Sequence, residues 1–104
     1  MRFQTTLKRQ VSCVGVGLHS GQRVRLTLNP ASVDTGIVFR RVGSHRVDIP
    51  ATAHYLGGIN HATCLASGET KIETVEHLLA ALRTLAVDNV LIELDATEVP
   101  IMDG

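Results

Sequence analysis

Alternation of apolar and polar side chains is the feature that most constrains the fold of this chain. In the segment RVRLTLN, residues 23–29, every second side chain is apolar: Val24, Leu26 and Leu28. Successive side chains of a β-strand point to opposite faces of its sheet, so this period indicates a strand with one buried face. The segment VLIEL, residues 90–94, has the same period. We therefore expect a sheet that buries one face against another layer.

Other extended segments surround these two. We expect strands or extended chain over residues 2–6, 11–18, 36–42, 47–53 and 61–66, with a loop at HYLGGIN, residues 54–60. The pair Ser20-Gly21 is a plausible hairpin turn in front of the strand at 23–29. Pro50 lacks the N–H group that a central strand donates, which favours an edge position for its strand.

One helix is expected over residues 73–85. Its apolar positions follow the helical repeat: Val75, Leu78, Leu79, Leu82, Leu85 and Ala86. The preceding segment SGET, residues 67–70, is typical of a turn into the helix, and either Thr70 or Thr74 could cap the first turn. Asp88-Asn89 is expected to break the helix before the strand at 90–94.

This order of elements predicts an α+β two-layer sandwich, a mostly antiparallel sheet with one helix lying across it. One helix covers only part of the apolar face of such a sheet. The missing cover predicts a second helix after Gly104. Residues 1–104 would then be a truncated N-terminal domain.

Size and charge exclude several classes of protein. The 104 residues suit one small domain, and ten basic and ten acidic side chains cancel. Duplex binders present a basic face to phosphates, so a nucleic-acid partner is not expected. The chain has no secretory signal and no apolar run of about 18 residues that could span a bilayer. Two cysteines without a CxxC pair predict a cytoplasmic protein with reduced thiols.

Glu76 and His77 are the strongest candidates for chemistry. A helix N-terminus favours negative charge, so the pair could be only the polar start of a surface helix. The functional alternative is an imidazole that binds zinc beside a carboxylate that acts as a general base. Glu73-x-x-Glu76-His77 also resembles the H-x-x-E-H metalloprotease pattern, with Glu73 and His77 one helical turn apart. Catalytic zinc usually needs about three protein ligands, and no third one stands at a convincing spacing.

Two weaker candidates have structural explanations. GVGLHSG, residues 15–21, lacks the third glycine of a dinucleotide fingerprint and precedes a strand instead of a helix, which favours a hairpin turn. Cys64 and His61 lie on an extended segment at a spacing that directs their side chains to opposite faces. Cys64 is therefore expected to be a small buried side chain.

Several segments together resemble one family. TLKR, GVGLHSG, TGIVFRR, TCL, TVEHLLAAL, the DN-x-x-IE run and VPIMDG occur in the order found in the N-terminal part of the zinc-dependent UDP-3-O-acyl-N-acetylglucosamine deacetylase. The resemblance covers the whole chain. It implies a hydrolase that removes the N-acetyl group of UDP-3-O-acyl-N-acetylglucosamine, the committed step of lipid A biosynthesis in Gram-negative bacteria.

The resemblance also implies roles for single residues. His77 matches a zinc ligand, and Glu76 matches the general base toward the attacking water. His61 and Ala62 fall where the family lines the mouth of its active site. His19 lies in a shared motif and is expected to face the site. These three residues are therefore expected to contact the substrate.

By the same resemblance, the enzyme has two domains of similar fold with the active site between them. The remaining zinc ligands lie in an H-K-x-x-D motif of the second domain, which is the expected protein partner. Since one imidazole cannot hold a catalytic zinc, the chain alone is expected to be inactive. The alternative is a small protein-interaction module in which Glu76-His77 only caps a helix.

Overall fold

Strands are the main secondary structure among the described residues. The computed structural model describes residues 3–17, 21–43, 46–51, 56–57, 64–67, 70–73 and 75–101. Within these ranges the elements are β1 (Val11–Gly17), β2 (Arg23–Pro30), β3 (Ile37–Arg41), β4 (Val47–Pro50), β5 (Leu56–Gly57), β6 (Cys64–Ser67), β7 (Thr70–Glu73), α1 (Glu76–Thr84), β8 (Val90–Leu94) and β9 (Pro100–Ile101).

Two sheets form among the described residues. The main sheet has six strands in the order β4-β3-β8-β2-β1-β9, and the small sheet has three in the order β5-β6-β7. Neighbours in the main sheet are antiparallel except β3 and β8, which run parallel with Phe39 opposite Ile92. With α1, this arrangement confirms the predicted α+β fold with a mostly antiparallel sheet. The division into two sheets was not predicted.

The alternating side chains of the two best-patterned strands form the centre of the core, as predicted. The buried ones are Val24, Leu26, Val90, Ile92 and Leu94. Leu82 of α1 and Ile72 of β7 belong to the same buried cluster. Apolar burial therefore joins the helix and the small sheet to the main sheet.

Two further predictions are confirmed. β1 and β2 form an antiparallel hairpin, in which the Gly17 N–H donates to the Gln22 carbonyl at 2.9 Å. Gly21 has a φ of +69°, a conformation that glycine adopts without a steric penalty. The strand that contains Pro50, β4, lies at an edge of the main sheet.

The segment before the helix differs from the prediction. Thr70 does not end a turn into the helix: it begins β7 and pairs with Ser67 of β6. The helix begins at Glu76 instead of residue 73, so Thr70 cannot cap it, and Thr74 lies outside the described residues. The sequence TKIE alternates β-branched and charged residues, which suits a strand with one buried face. Pairing with β6 therefore overrides the helical repeat at this point.

The start of the chain also differs from the prediction. In place of a strand over residues 2–6, the described part forms an isolated bridge between Thr6 and Asn89. The hydroxyl groups of Thr5 and Thr6 donate to carbonyls of Ala86 and Asn89. These side-chain bonds replace the regular ladder of a strand. The predicted loop at 54–60 contains the short strand β5, and β9 was not predicted.

The helix ends before its apolar stripe is complete. Leu82 is buried, but Leu85 is 72% exposed, so its predicted place in the stripe is wrong. Ala86 adopts a φ of +58°, and the Val87 N–H donates to the Leu82 carbonyl at 2.9 Å. The chain therefore turns at Leu85 and directs that side chain to solvent. α1 has nine residues, and the described part of the chain contains no helix long and apolar enough to cross a membrane.

Candidate active site

The predicted catalytic pair forms the first turn of α1. Glu76 is the first helical residue and His77 the second. The His77 side chain is 87% exposed and the Glu76 side chain 40% exposed. Glu76 Oε1 lies 3.7 Å from His77 Nε2, an ion-pair distance that is too long for a good hydrogen bond. An accessible imidazole therefore stands directly beside a carboxylate.

The two oxygens of Glu76 have different surroundings. Oε1 faces the imidazole, whereas Oε2 is buried and has no hydrogen-bond partner. A buried polar atom without a partner is costly, and such atoms in folded proteins often mark a ligand, an ion or a bound water. The free oxygen can accept a proton or a hydrogen bond, which is what a general base requires.

The helix start does not support a capping role for the pair. Val75 occupies the N-cap position with helical backbone angles, φ −88° and ψ −16°, and among the described residues no side chain caps the helix. Glu76 lies one residue inside the helix, where a carboxylate gains only from the helix dipole. The interaction-module interpretation, in which Glu76-His77 caps the helix, therefore lacks its structural basis.

The metalloprotease interpretation is also wrong. It required Glu73 and His77 to lie one turn apart on a helix, but Glu73 is the last residue of β7. In the described ranges, no group of three or more His, Cys, Asp or Glu side chains is arranged to hold a metal ion. Among the described residues, Glu76 and His77 are therefore left as an isolated carboxylate–imidazole pair at the start of α1.

The expected substrate contacts cannot be compared with the structure. His19, His61 and Ala62 lie outside the described residues. Cys64 begins β6, an extended segment as predicted, but its side chain is not described. The other cysteine, Cys13, is half-buried, and burial raises the pKa of its thiol. The neutral thiol is favoured there, and the Cys13 side chain packs against the buried cluster.

Two residues that anchor the pair were not singled out from the sequence. Ile72 and Val75 flank the junction between β7 and α1, and both are fully buried. The signal for Ile72 was present in the sequence, since it lies between the charged residues Lys71 and Glu73. For Val75 the signal was its position next to Glu76 in an apolar helical stripe.

A groove lies elsewhere on the fold. It has a volume of about 610 Å³ and runs between the C-terminal half of α1 and the β3–β4 edge. Its lining includes Leu79 and Arg83 from the helix and Ile37 and Pro50 from the strands. Neither Glu76 nor His77 lines this groove. The chemistry of the candidate site is therefore at the other end of the helix.

Comparison with known proteins gives a consistent result. The model of the family UDP-3-O-acyl N-acetylglycosamine deacetylase matches residues 4–104. The chain is 56% identical over 102 residues to the UDP-3-O-acyl-N-acetylglucosamine deacetylase of Pseudomonas entomophila (strain L48), a match that covers 97% of this chain and 34% of the relative. The protein of that name from Teredinibacter turnerae (strain ATCC 39867 / T7901) is 53% identical, with the same coverage.

A third relative extends the match to the full chain. The UDP-3-O-acyl-N-acetylglucosamine deacetylase of Cellvibrio japonicus (strain Ueda107) is 51% identical over 105 residues, covering 100% of this chain and 35% of the relative. The chain thus spans about a third of the length of the curated relatives it matches. On the evidence of the family match and of these identities, the chain belongs to the UDP-3-O-acyl N-acetylglycosamine deacetylase family.

Proposed function

We propose that this chain is the N-terminal part of a zinc-dependent amidohydrolase that removes the N-acetyl group of UDP-3-O-acyl-N-acetylglucosamine in lipid A biosynthesis. Family membership supports the reaction and the substrate. The single structural observation that carries the proposal is the Glu76-His77 pair at the start of α1. It combines an exposed imidazole with a carboxylate that has one buried, unpartnered oxygen.

The side chains of this pair fit a zinc ion. A neutral imidazole is a common zinc ligand, and 87% exposure leaves the His77 ring accessible. The unpartnered Oε2 of Glu76 supplies an acceptor beside it. Two groups are still fewer donors than a catalytic zinc site requires. His77 would therefore hold one corner of the site, and other parts of the full-length protein would supply the rest.

The proposed reaction is hydrolysis of an amide. When bound, zinc supplies Lewis acidity, which polarises a carbonyl and makes a water more acidic. Glu76 accepts a proton from the attacking water as the oxygen of that water bonds to the acetamide carbon. The C–N bond then breaks, and the nitrogen leaves as an amine after it takes up a proton. The products are acetate and the free amino sugar.

The length of the relatives supports a shared site. Because this chain covers about a third of them, most of each relative lies outside it. We propose that residues 1–104 form part of the first of two domains, and that the second domain supplies the missing ligands. His19, His61 and Ala62 stay candidates for substrate contact, and a cytoplasmic location stays a prediction. The 104-residue chain by itself should have no activity.

Two variants of the full-length protein test this proposal. Glu76→Gln removes the proton acceptor and keeps the shape, so it should retain zinc and lose about 10²–10⁴-fold in kcat. His77→Ala should weaken zinc binding strongly. Loss of an outer partner of a metal ligand costs about 10–100-fold in metal affinity, and the loss in His77→Ala should be larger than that. Zinc content after dialysis and the rate of acetate release are the two measurements.

Either of two results would contradict the proposal. Near-normal turnover of Glu76→Gln would remove Glu76 from the mechanism. One-to-one zinc binding with wild-type affinity in His77→Ala would show that the imidazole is not a ligand. Lys8→Ala, on an exposed position of the N-terminal segment, is a matched control and should leave both measurements unchanged.

A further inference from the structure

The junction between β7 and α1 connects the core to the candidate site. β7 ends at Glu73 and α1 begins at Glu76, so Val75 directly precedes the catalytic pair. Val75 and Ile72 have no exposed surface, and both belong to the same buried cluster as Leu82. The chain is therefore held in the core immediately before Glu76.

Within the part of the chain that the structure describes, no capping side chain holds this end of the helix. At many helix starts a serine, threonine, aspartate or asparagine side chain bonds to a free backbone N–H and fixes the first turn. Here the N-cap residue is Val75, and no side-chain cap bond is present. Its carbonyl accepts the first helical hydrogen bond, from the Leu79 N–H at 3.0 Å. Among the described residues, the contact that adjoins this helix start is therefore the packing of the buried Val75 side chain.

The Glu76 carboxylate is not held by its own hydrogen bonds. Oε2 is buried without a partner, and Oε1 has only the long contact with His77. A carboxylate without such bonds keeps its place through the backbone that carries it. A small shift of that backbone would allow Oε2 to reach solvent and would move the His77 ring with it.

We propose that Val75, supported by Ile72, is a positioning residue for the Glu76-His77 pair. Its buried side chain sets the place of the first helical turn, where a hydrogen-bonded cap would do so in other helices. This inference deepens the proposed function and rests on it. Misplacement by about 1 Å of groups around a reacting centre can cost about 100-fold in rate, so packing at Val75 should be visible in catalysis.

Three variants of the full-length protein test the proposal. Val75→Ala removes the methyl groups that seat the helix start and should lower kcat about 10–100-fold with little change in KM. Its zinc affinity, measured by competition with a chelator, should fall about 10-fold. Val75→Ile keeps a β-branched apolar side chain at the same position and should restore most of both values.

Leu82→Ala is the matched control. Leu82 lies in the same helix and the same buried cluster, but it is almost two turns beyond Glu76. This variant should lose stability at least as much as Val75→Ala, while its kcat and zinc affinity stay at the wild-type values. Equal losses of kcat in the two alanine variants would show a general structural effect and overturn the proposal. Wild-type kcat in a folded Val75→Ala would overturn it as well.

A milder variant covers the case in which Val75→Ala does not fold. Ile72→Val removes one methylene group from the second anchor and should lower kcat several-fold; wild-type kcat and zinc affinity in this variant would overturn the proposal. Wild-type enzyme and Glu76→Gln are assayed in parallel. If the wild type is inactive or Glu76→Gln is active, the proposed function fails. If both behave as expected and Val75→Ala matches the wild type, only the positioning role fails.

Discussion

The two ends of helix α1 are held in opposite ways. At the C-terminal end, polar groups meet partners: the Thr5 N–H donates to Asp88 Oδ2 at 2.7 Å, and the Gly36 N–H donates to Asn89 Oδ1 at 2.8 Å. At the N-terminal end, Val75 is buried without a capping bond, and Glu76 Oε2 has no partner. One end satisfies its polar groups, while the other leaves a polar atom unsatisfied.

This difference separates the structural end of the helix from the candidate functional end. Hydrogen bonds to neighbouring segments hold the turn after α1 and join it to the start of the chain and to β3. A site that binds an ion or a substrate needs groups that are free to do so, and these groups carry a cost in stability. Apolar packing at Val75 holds the N-terminal end without using up those groups.

The largest expected effect on stability tests where the apolar contact of the helix with the core ends. Leu82 is 3% exposed and Leu85 is 72% exposed, although both lie on the stripe that the sequence predicts. Leu82→Ala should lower the free energy of unfolding by about 2–5 kcal/mol, because it leaves a cavity in the core. Leu85→Ala should change it by no more than about 0.5 kcal/mol. Denaturant unfolding of both variants measures this, and similar losses would show that the helix packs beyond its last residue.

A second effect should come from the polar end. The Asn89 side chain is buried, accepts from the Gly36 N–H and donates to Gln4 Oε1 at 2.9 Å. Asn89→Ala removes both bonds and takes the acceptor of the Gly36 N–H away, so it should cost about 1–3 kcal/mol. In the full-length protein its kcat should stay unchanged, because the change is at the end of α1 away from Glu76.

The control for Asn89 is a polar pair on the surface. Gln10 Nε2 donates to Asn29 Oδ1, and Gln10 is exposed. Gln10→Ala should change the free energy of unfolding by no more than about 0.5 kcal/mol, since water replaces the lost partner. If Asn89→Ala is as mild as Gln10→Ala, the polar end of α1 does not depend on satisfied hydrogen bonds.

The smallest effect should come from an ion pair far from both ends of the helix. Arg40 contacts Asp48 through two hydrogen bonds, of 2.7 and 2.9 Å, between β3 and β4. The hydrogen bond from Arg40 holds the pKa of Asp48 below its ordinary value of 3.8. The pair should therefore add stability above about pH 4, and this contribution should be lost as the pH falls through the lower pKa of the folded state.

The pair is partly exposed, so its contribution should stay below about 1 kcal/mol. Asp48→Asn should be slightly less stable than the wild type at neutral pH, and the difference should vanish in acid. Denaturant midpoints at several pH values measure this. Arg40→Gln should remove the same part of the pH dependence. A difference that grows in acid would contradict the assigned shift.

The parts of the fold that could be predicted are those in which one periodicity acts alone. Val24 and Leu26 alternate without interruption and lie buried on one face of β2. Pro50 cannot donate a ladder hydrogen bond, and its strand lies at an edge. The sequence also singled out Glu76 and His77 as a candidate pair, and the family resemblance, not the residues alone, favoured a catalytic role for them.

The errors arose where two patterns compete. The sequence predicts a turn at residues 67–70 and a helix from residue 73, but residues 70–73 pair with β6 as strand β7. Leu85 fits the helical stripe, but the helix has ended and the chain turns at Ala86. The Leu85 side chain therefore does not reach the core. Strand pairing and the position of the core depend on contacts between segments, which the periodicity of one segment does not record.

The sequence by itself determined most strands of the main sheet, the class of the fold and the candidate residues for the chemistry. Only the tertiary structure decided where the helix begins, that Val75 is buried at its start, and that one oxygen of Glu76 is buried with no partner among the described residues. The physical reason is that composition and period specify which side chains avoid water. The partners of a polar atom are set by segments that meet only after the chain has folded.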